Sequence, residues 1–316
     1  VPFSATTSRQ SLRNISEGRF RGLIRKESPA SDDKASGQMA HLVGRRALAK
    51  NLFGLCFMIL TMMATIGPDV PAETSAQKPS LRITVLFNNV SHRSGLTSGW
   101  GFACLVEGLA KTVLFDTGAD GGILLDNMRR LNLDPKGIDA VFLSHSHGDH
   151  TGGLGALIAR HSGMQVFLPA GFPASFRQAV ADKGAQVSVV KMGGRLLDHV
   201  YSTGELGDSI VEQAMIVETE KGLVVITGCA HPGIARIAET AIRLTGKKIY
   251  LLMGGFHLGG TSRSEILAII SQLKSLGVEK VAPSHCTGET ATVLFRQAWG
   301  RDFVESGLGA VIELPL

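Results

Sequence analysis

The sequence predicts an α/β fold in which two β-sheets pack together and helices cover them from outside. Three observations carry this. Short runs rich in Val, Ile and Leu, bounded by Gly, Pro or Asp, recur along residues 81–316 and read as strands. Several of these runs are apolar at every position, as strands covered on both faces require. Helical patterns alternate with them in both halves of the region, so each half supplies a sheet and its own helices.

The strand-like runs begin with Leu81–Val90, Gly101–Glu107 and Thr112–Phe115. A helical pattern over Gly122–Leu131 leads to strands Ala140–Ser144 and Gln165–Leu168, and another over Phe172–Asp182 leads to strand Gln186–Lys191. The second half opens with strands Gln213–Glu218 and Leu223–Thr227. Helix Ile234–Leu244, strand Ile249–Met253, helix Arg263–Leu276, strand Lys280–Pro283 and helix Glu289–Trp299 complete it. Ser262 and Glu265 make a capping box at the start of the helix at 263, each side chain satisfying the other's free backbone N–H. Ile266, Ile269, Ile270, Leu273 and Leu276 then form an apolar stripe at helical spacing, which is core rather than a ligand box. Asn88–Trp100 and Gly193–Asp208 read as loops.

Residues 145–150 read His-Ser-His-Gly-Asp-His, directly after the apolar run Ala140–Ser144. The chain has 10 His in 316 residues, so three of them in six positions beside an Asp is not ordinary loop composition. Neutral imidazole and carboxylate are ligands that zinc, manganese and iron accept. His145 and His147 are two apart, and an extended backbone aims such side chains to one side. Asp149 and His150 fall where the chain turns toward Thr151-Gly152-Gly153 and can reach a second point. One loop can therefore serve two neighbouring cations.

The string from Ser144 through Leu154 resembles the His-x-His-x-Asp-His signature of the metallo-β-lactamase fold superfamily. Thr112–Gly118 upstream resembles the strand and turn whose Asp supports the metal loop. Gly228-Cys229-Ala230-His231 and Pro283-Ser284-His285-Cys286-Thr287-Gly288 follow in the family's order. Cys229 stands where the wider superfamily commonly has a metal-bridging Asp. That departure, with Met253-Gly254-Gly255-Phe256-His257-Leu258, resembles the branch labelled 7,8-dihydropterin-6-methyl-4-(β-D-ribofuranosyl)-aminobenzene-5'-phosphate synthase-like.

The resemblance covers residues 81–316 and implies an αββα sandwich of two mixed β-sheets with helices on both outer faces. It implies two divalent metal ions, zinc first, with manganese or iron as alternatives. His145, His147 and His231 are assigned to one metal, and Asp149, His150 and His285 to the other. Asp116 becomes a supporting acceptor that orients the metal loop and fixes ligand tautomer. Cys229 is either a thiolate ligand or a small buried hydrophobe, and without a bridging carboxylate the second metal should bind more weakly. His257 can ligate, hydrogen-bond a substrate anion or donate a proton to a leaving group. With Asp149 it is the candidate catalytic residue.

The chemistry that follows is metal-assisted hydrolysis of a small ester, lactone, amide or phosphoester, in which a bound ion brings the pKa of water toward about 7. The branch label offers a synthase-like transferase as the alternative.

Charge argues against a nucleic-acid partner. Of 32 Lys+Arg and 27 Asp+Glu, residues 1–80 hold 11 and 6, leaving 21 of each sign for residues 81–316 and no basic patch on the motif-bearing region. Four Cys are no disulfide framework, although the sequence leaves a Cys229–Cys286 bridge open.

Residues 52–67 form an uncharged apolar run after Arg45, Arg46 and Lys50 and before Pro68 and Pro71. Basic, apolar, then small residues is the layout of a secretory signal. Sixteen residues are short for a membrane span, with an uncleaved anchor as the alternative. The expectation is an exported protein, periplasmic or secreted. Residues 1–38 are polar without apolar period and are expected to be disordered or an over-extended start, followed by the signal or anchor at 39–76 and the catalytic domain at 77–316.

Overall fold

The computed structural model describes residues 80–316, so the expectations for 1–38 and 39–76 lie outside the described residues. The first sheet has the order β13-β1-β2-β3-β4-β5-β6. Its strands are β1 (Ser80–Asn88), β2 (Phe102–Glu107), β3 (Val113–Phe115), β4 (Ala140–Phe142), β5 (Gln165–Pro169), β6 (Gln186–Val190) and the C-terminal β13 (Val311–Pro315). The second sheet has the order β12-β11-β10-β9-β8-β7. It comprises β7 (Met192–Leu197), β8 (Val200–Gly204), β9 (Met215–Thr219), β10 (Gly222–Thr227), β11 (Ile249–Gly255) and β12 (Lys280–Ser284).

Both sheets are mixed. β3 to β6 are parallel, while β13, β1, β2 and β3 pair antiparallel. β10, β11 and β12 are parallel, and β7 to β10 pair antiparallel. Parallel neighbours need crossover connections. Helices α1 (Gly121–Arg130), α2 (Gly148–Thr151), α3 (Leu154–Arg160) and α4 (Ala174–Asp182) lie in the crossovers of the first sheet. Helices α5 (Ile234–Thr245) and α6 (Arg263–Ser275) do so in the second, followed by α7 (Glu289–Trp299).

Three apolar clusters follow from this layering. One includes Phe102, Phe115 and Phe142 of the first sheet with Val224, Ile226 and Met253 of the second, and is the core between the sheets. Phe115 and Phe142 stack at 5.5 Å between ring centroids. A second joins Leu124, Met128 and Leu157 of α1 and α3 to the outer face of the first sheet. A third joins Ile237, Ile270 and Phe295 of α5, α6 and α7 to the second. Each such buried side chain contributes about 1.5–3 kcal/mol. The architecture is the αββα sandwich, and the capping box at Ser262 and Glu265 is formed.

The structure adds elements absent from the sequence reading. Met192–Leu197 and Val200–Gly204 make a hairpin where a loop was expected; its first strand is a half-exposed sheet edge, covered on only one face, and its second is buried between that edge and β9. β13, α2 and α3 are also additional. Among the described residues no helix is long and apolar enough to cross a membrane, and residues 52–67 lie outside them.

Candidate metal centre

Asp116, the His145–His150 loop, Cys229 and His231, His257, and His285 each follow the C-terminal end of a strand: β3, β4, β10, β11 and β12 respectively. Parallel strands present their carboxyl ends, and the loops leaving them, at one pole of the sandwich. The residues come from both sheets, so the site lies across the seam between them.

Asp116 organises the first loop. It is fully buried, and its Oδ1 accepts from the Ser144 backbone N–H at 2.7 Å. Its Oδ2 accepts from Ser144 Oγ and pairs with His150 Nδ1, both at 2.7 Å. A carboxylate acceptor puts the proton of His150 on Nδ1 and leaves Nε2 with its lone pair facing the other ligands. Burial alone would push His150 down, but the Asp116 carboxylate and its hydrogen bond outweigh this and hold the imidazole above its ordinary value. Thr117 secures the same turn, its N–H and Oγ1 donating to the His150 carbonyl at 2.8 and 3.0 Å.

Two donor sets result. In the first, ring nitrogens of His145, His147 and His231 lie within 4.8 Å of one another. His145 Nε2 is 3.1 Å from His147 Nδ1, and its own Nδ1 is 2.9 Å from Ser144 Oγ. Burial, then the neighbouring imidazoles, push His145 far below the ordinary histidine value. Burial, then His257 and His147, lower His231 to about 4. Both rings are therefore neutral at pH 7, the form that binds metal.

In the second set, Asp149, His150, Cys229 and His285 offer donor atoms within 4.8 Å of one another. Asp149 Oδ2 lies 3.5 Å from His150 Nε2 and 3.4 Å from His285 Nε2. Burial would raise the Asp149 carboxyl, but the neighbouring imidazoles of His285 and His150 hold it at about 2. Cys229 is buried, with Sγ 3.2 Å from His150 Nε2, so it stands among the donors as well as in the interior. His231 Nε2 and His285 Nε2, one in each set, are buried with no hydrogen-bond partner. Nitrogen and oxygen donors, one thiol, the neutral imidazoles of His145 and His231 and two unpaired buried nitrogens fit divalent cations.

A family model described as the metallo-beta-lactamase superfamily matches residues 101–285. The chain belongs to the metallo-beta-lactamase superfamily. It is 31% identical over 279 residues to a 7,8-dihydropterin-6-methyl-4-(beta-D-ribofuranosyl)-aminobenzene-5'-phosphate synthase of Methanocaldococcus jannaschii, covering 73% of this chain and 95% of that protein. A crystal structure of Tm1679, described as a metal-dependent hydrolase of the beta-lactamase superfamily, aligns with TM-score 0.63 and 29% identity over 75% of this chain and all of that one. The metallo-beta-lactamase fold protein YhfI from Bacillus subtilis aligns with TM-score 0.56 at 15% identity, over 75% of this chain and 100% of that one, and shows the shared fold alone.

In this metallo-beta-lactamase superfamily member the supporting residues reach further than the sequence motifs. Glu212 is fully buried, and its carboxylate accepts from the backbone N–H of Cys229, Ala230 and His231, each at 2.9 Å. Burial raises its pKa and those three hydrogen bonds oppose the rise. Asn89 Oδ1 pairs with His285 Nδ1 at 2.9 Å, and Asn89 Nδ2 donates to the His285 carbonyl at 3.2 Å. Sequence reading passed over both. A lone acid or amide carries no spacing signal, and only the fold brings it to a ligand.

Asp116, Ala230, His257 and His285 all have positive φ, between 50° and 59°, in the region that favours glycine. Each costs about 1–2 kcal/mol, and their gathering at one site marks a geometry held by its surroundings. Gly228 permits the closest approach, since a Cβ there would run into Ser144 Oγ and come within 2.9 Å of Asp116 Oδ2. His257 is exposed, its ring centroid 4.3 Å from that of His231. Cys229 and Cys286 are free thiols, so the bridge left open by sequence is not formed. Cys286 is the more acidic of the two, lowered by a hydrogen bond with Cys229 against its burial. A cavity of about 440 Å³ opens beside His285, lined by Val90, Trp100, Pro283, Cys286, Val293 and Arg296. The Trp100 ring lies 5.1 Å from that of His285.

Proposed function

We propose that the domain is a dinuclear metal-dependent hydrolase, loaded with zinc, acting on a small ester, lactone, amide or phosphoester. The observation that carries this reading is the pair of adjacent donor sets, each with an unpaired buried imidazole nitrogen. The relative described as a metal-dependent hydrolase, 29% identical, supports it. Ions held there would supply Lewis-acid polarisation and acidify water.

The chain's own groups do the rest. Asp149, ionised at neutral pH and held between His150 and His285, orients and can take a proton from water. His257, exposed beside His231, is placed to hand a proton to a leaving group. Asp116 and Glu212 hold the two ligand turns from behind, and the cavity at Trp100 receives the substrate's apolar part. Screening esters, lactones and phosphodiesters with wild-type and His147→Ala protein tests the reading. Turnover lost in the variant is expected, and wild-type-like turnover would refute it.

The synthase name of the Methanocaldococcus jannaschii relative favours a second reading, group transfer joining a dihydropterin to a ribofuranosyl-aminobenzene phosphate. Both precursors are supplied to metal-loaded protein, and a coupled product detected by mass would replace hydrolysis with transfer. The exported location expected from residues 52–67 belongs to the same proposal, and cell fractionation tests it.

A further inference from the structure

The ends of the three adjacent parallel strands β10, β11 and β12 bring together a third group, Cys229, His257 and Cys286. The two Sγ atoms and a ring nitrogen of His257 lie within 4.8 Å of one another. Both thiols are buried and free, while His257 is exposed and leaves a way in. Cys286 Sγ makes a weak 3.7 Å contact to the Cys229 carbonyl. Space is kept for that sulfur, because a Cβ at Gly255 would come within 2.7 Å of Cys286 Sγ. His257, a member of the group, and His285, next to Cys286 in the chain, both have left-handed backbone conformations.

We infer that Cys229, Cys286 and His257 form a third, sulfur-rich position for a thiophilic cation of the zinc class, adjoining the second donor set through Cys229. Two sulfurs and one imidazole are a zinc ligand set, and three protein ligands leave a fourth position open. Thiolates select soft ions over manganese or magnesium. Both thiols lose their protons to solvent when the ion binds. Cys229 is common to this group and to the Asp149, His150 and His285 set, so the two positions share one thiolate. The inference does not depend on hydrolysis.

Titration of the reduced, metal-free full chain with Co²⁺ under anaerobic conditions tests it. Thiolate-to-cobalt charge-transfer absorbance is expected, and Cys286→Ser should remove at least about a third of it, one of three thiolate–cobalt bonds being gone. His257→Ala should shift the visible ligand-field bands. His147→Ala should leave the thiolate absorbance in place, which separates this position from the first histidine set. Full wild-type absorbance in Cys286→Ser would overturn the inference. As a check that needs no variant, alkylation of the wild-type chain with and without Cd²⁺ is read by peptide mass. Protection of both Cys229 and Cys286 supports the site, and protection of Cys229 alone overturns it.

Discussion

Replacing Asp116 by Asn tests how the metal loop is held. The carboxylate takes three hydrogen bonds at 2.7 Å, from the Ser144 N–H, Ser144 Oγ and His150 Nδ1. Asn keeps the size and tolerates the φ of 52° at this position. Its amide nitrogen is a donor, however, and cannot accept. If the amide oxygen keeps the Ser144 N–H, the NH2 faces His150 Nδ1, which must then give up its proton to Nε2. That is the nitrogen lying 3.2 Å from Cys229 Sγ and 3.5 Å from Asp149, and once protonated it cannot ligate. The alternative orientation leaves the Ser144 N–H unpaired inside the protein. Losing one buried charge-assisted bond costs about 2–3 kcal/mol. For a domain of this size that lowers Tm by roughly 5–10 °C. Loss of such a supporting partner weakens metal binding about 10–100-fold. Competition against a chromophoric zinc chelator gives the affinity, and a thermal melt of metal-free protein gives the stability. Zinc affinity within about twofold of wild type, with an unchanged Tm, would falsify the tautomer argument.

Three further outcomes are expected. Glu212→Ala strands the N–H groups of Cys229, Ala230 and His231 and should cost about 3 kcal/mol in urea unfolding; a loss under about 1 kcal/mol would show the turn holds itself. Gly228→Ala drives a methyl into Ser144 Oγ and Asp116, so bound metal measured by elemental analysis should fall while far-UV circular dichroism persists; full metal content would contradict the packing. Metal-free protein should lose stability as pH falls from about 6.5 toward 4. His145 and His231 are depressed in the fold, so the unfolded chain binds more protons across that window and stability rises with pH. His150, raised in the fold, acts above about 6.5 and so outside this window. Glu212, raised by burial, opposes within it, one group against two. A Tm that is flat or climbs on acidification across the window counts against these assignments.

Which side chains gather was legible because histidine is scarce and each ligand sits just past an apolar strand. A strand end fixes direction, so the strings around His145, His231 and His285 point to a common place before any fold is known. The interior strands and amphipathic helices were legible for a related reason, since burial on both faces or along one stripe leaves a periodic trace. The hairpin from Met192 to Gly204 left none, because Gly193, Gly194 and Arg195 occupy a half-exposed edge. β13 alternates between exposed and buried residues, but over five residues ending at a proline the pattern is too short to separate from a tail. Glu212 and Asn89 were hidden for another reason. Their partners are 19 and 196 residues away, and nothing local distinguishes a buried acceptor from a surface one.

The pairing of β1 with β13 sets Ser80 opposite Pro315, so the two ends of the described domain lie side by side. β1 runs nine residues from there to Asn88, next to the asparagine that holds His285, a span of roughly 26 Å at about 3.3 Å per residue. A surface or fusion partner attached at residue 80 or at the C-terminus therefore grips the domain by the pole opposite its ligands and leaves them facing outward. The same adjacency allows a short linker to close the chain into a ring, with new ends opened in a distant surface turn such as Leu197–Val200. The domain can thus be cut and rejoined without disturbing a single donor loop.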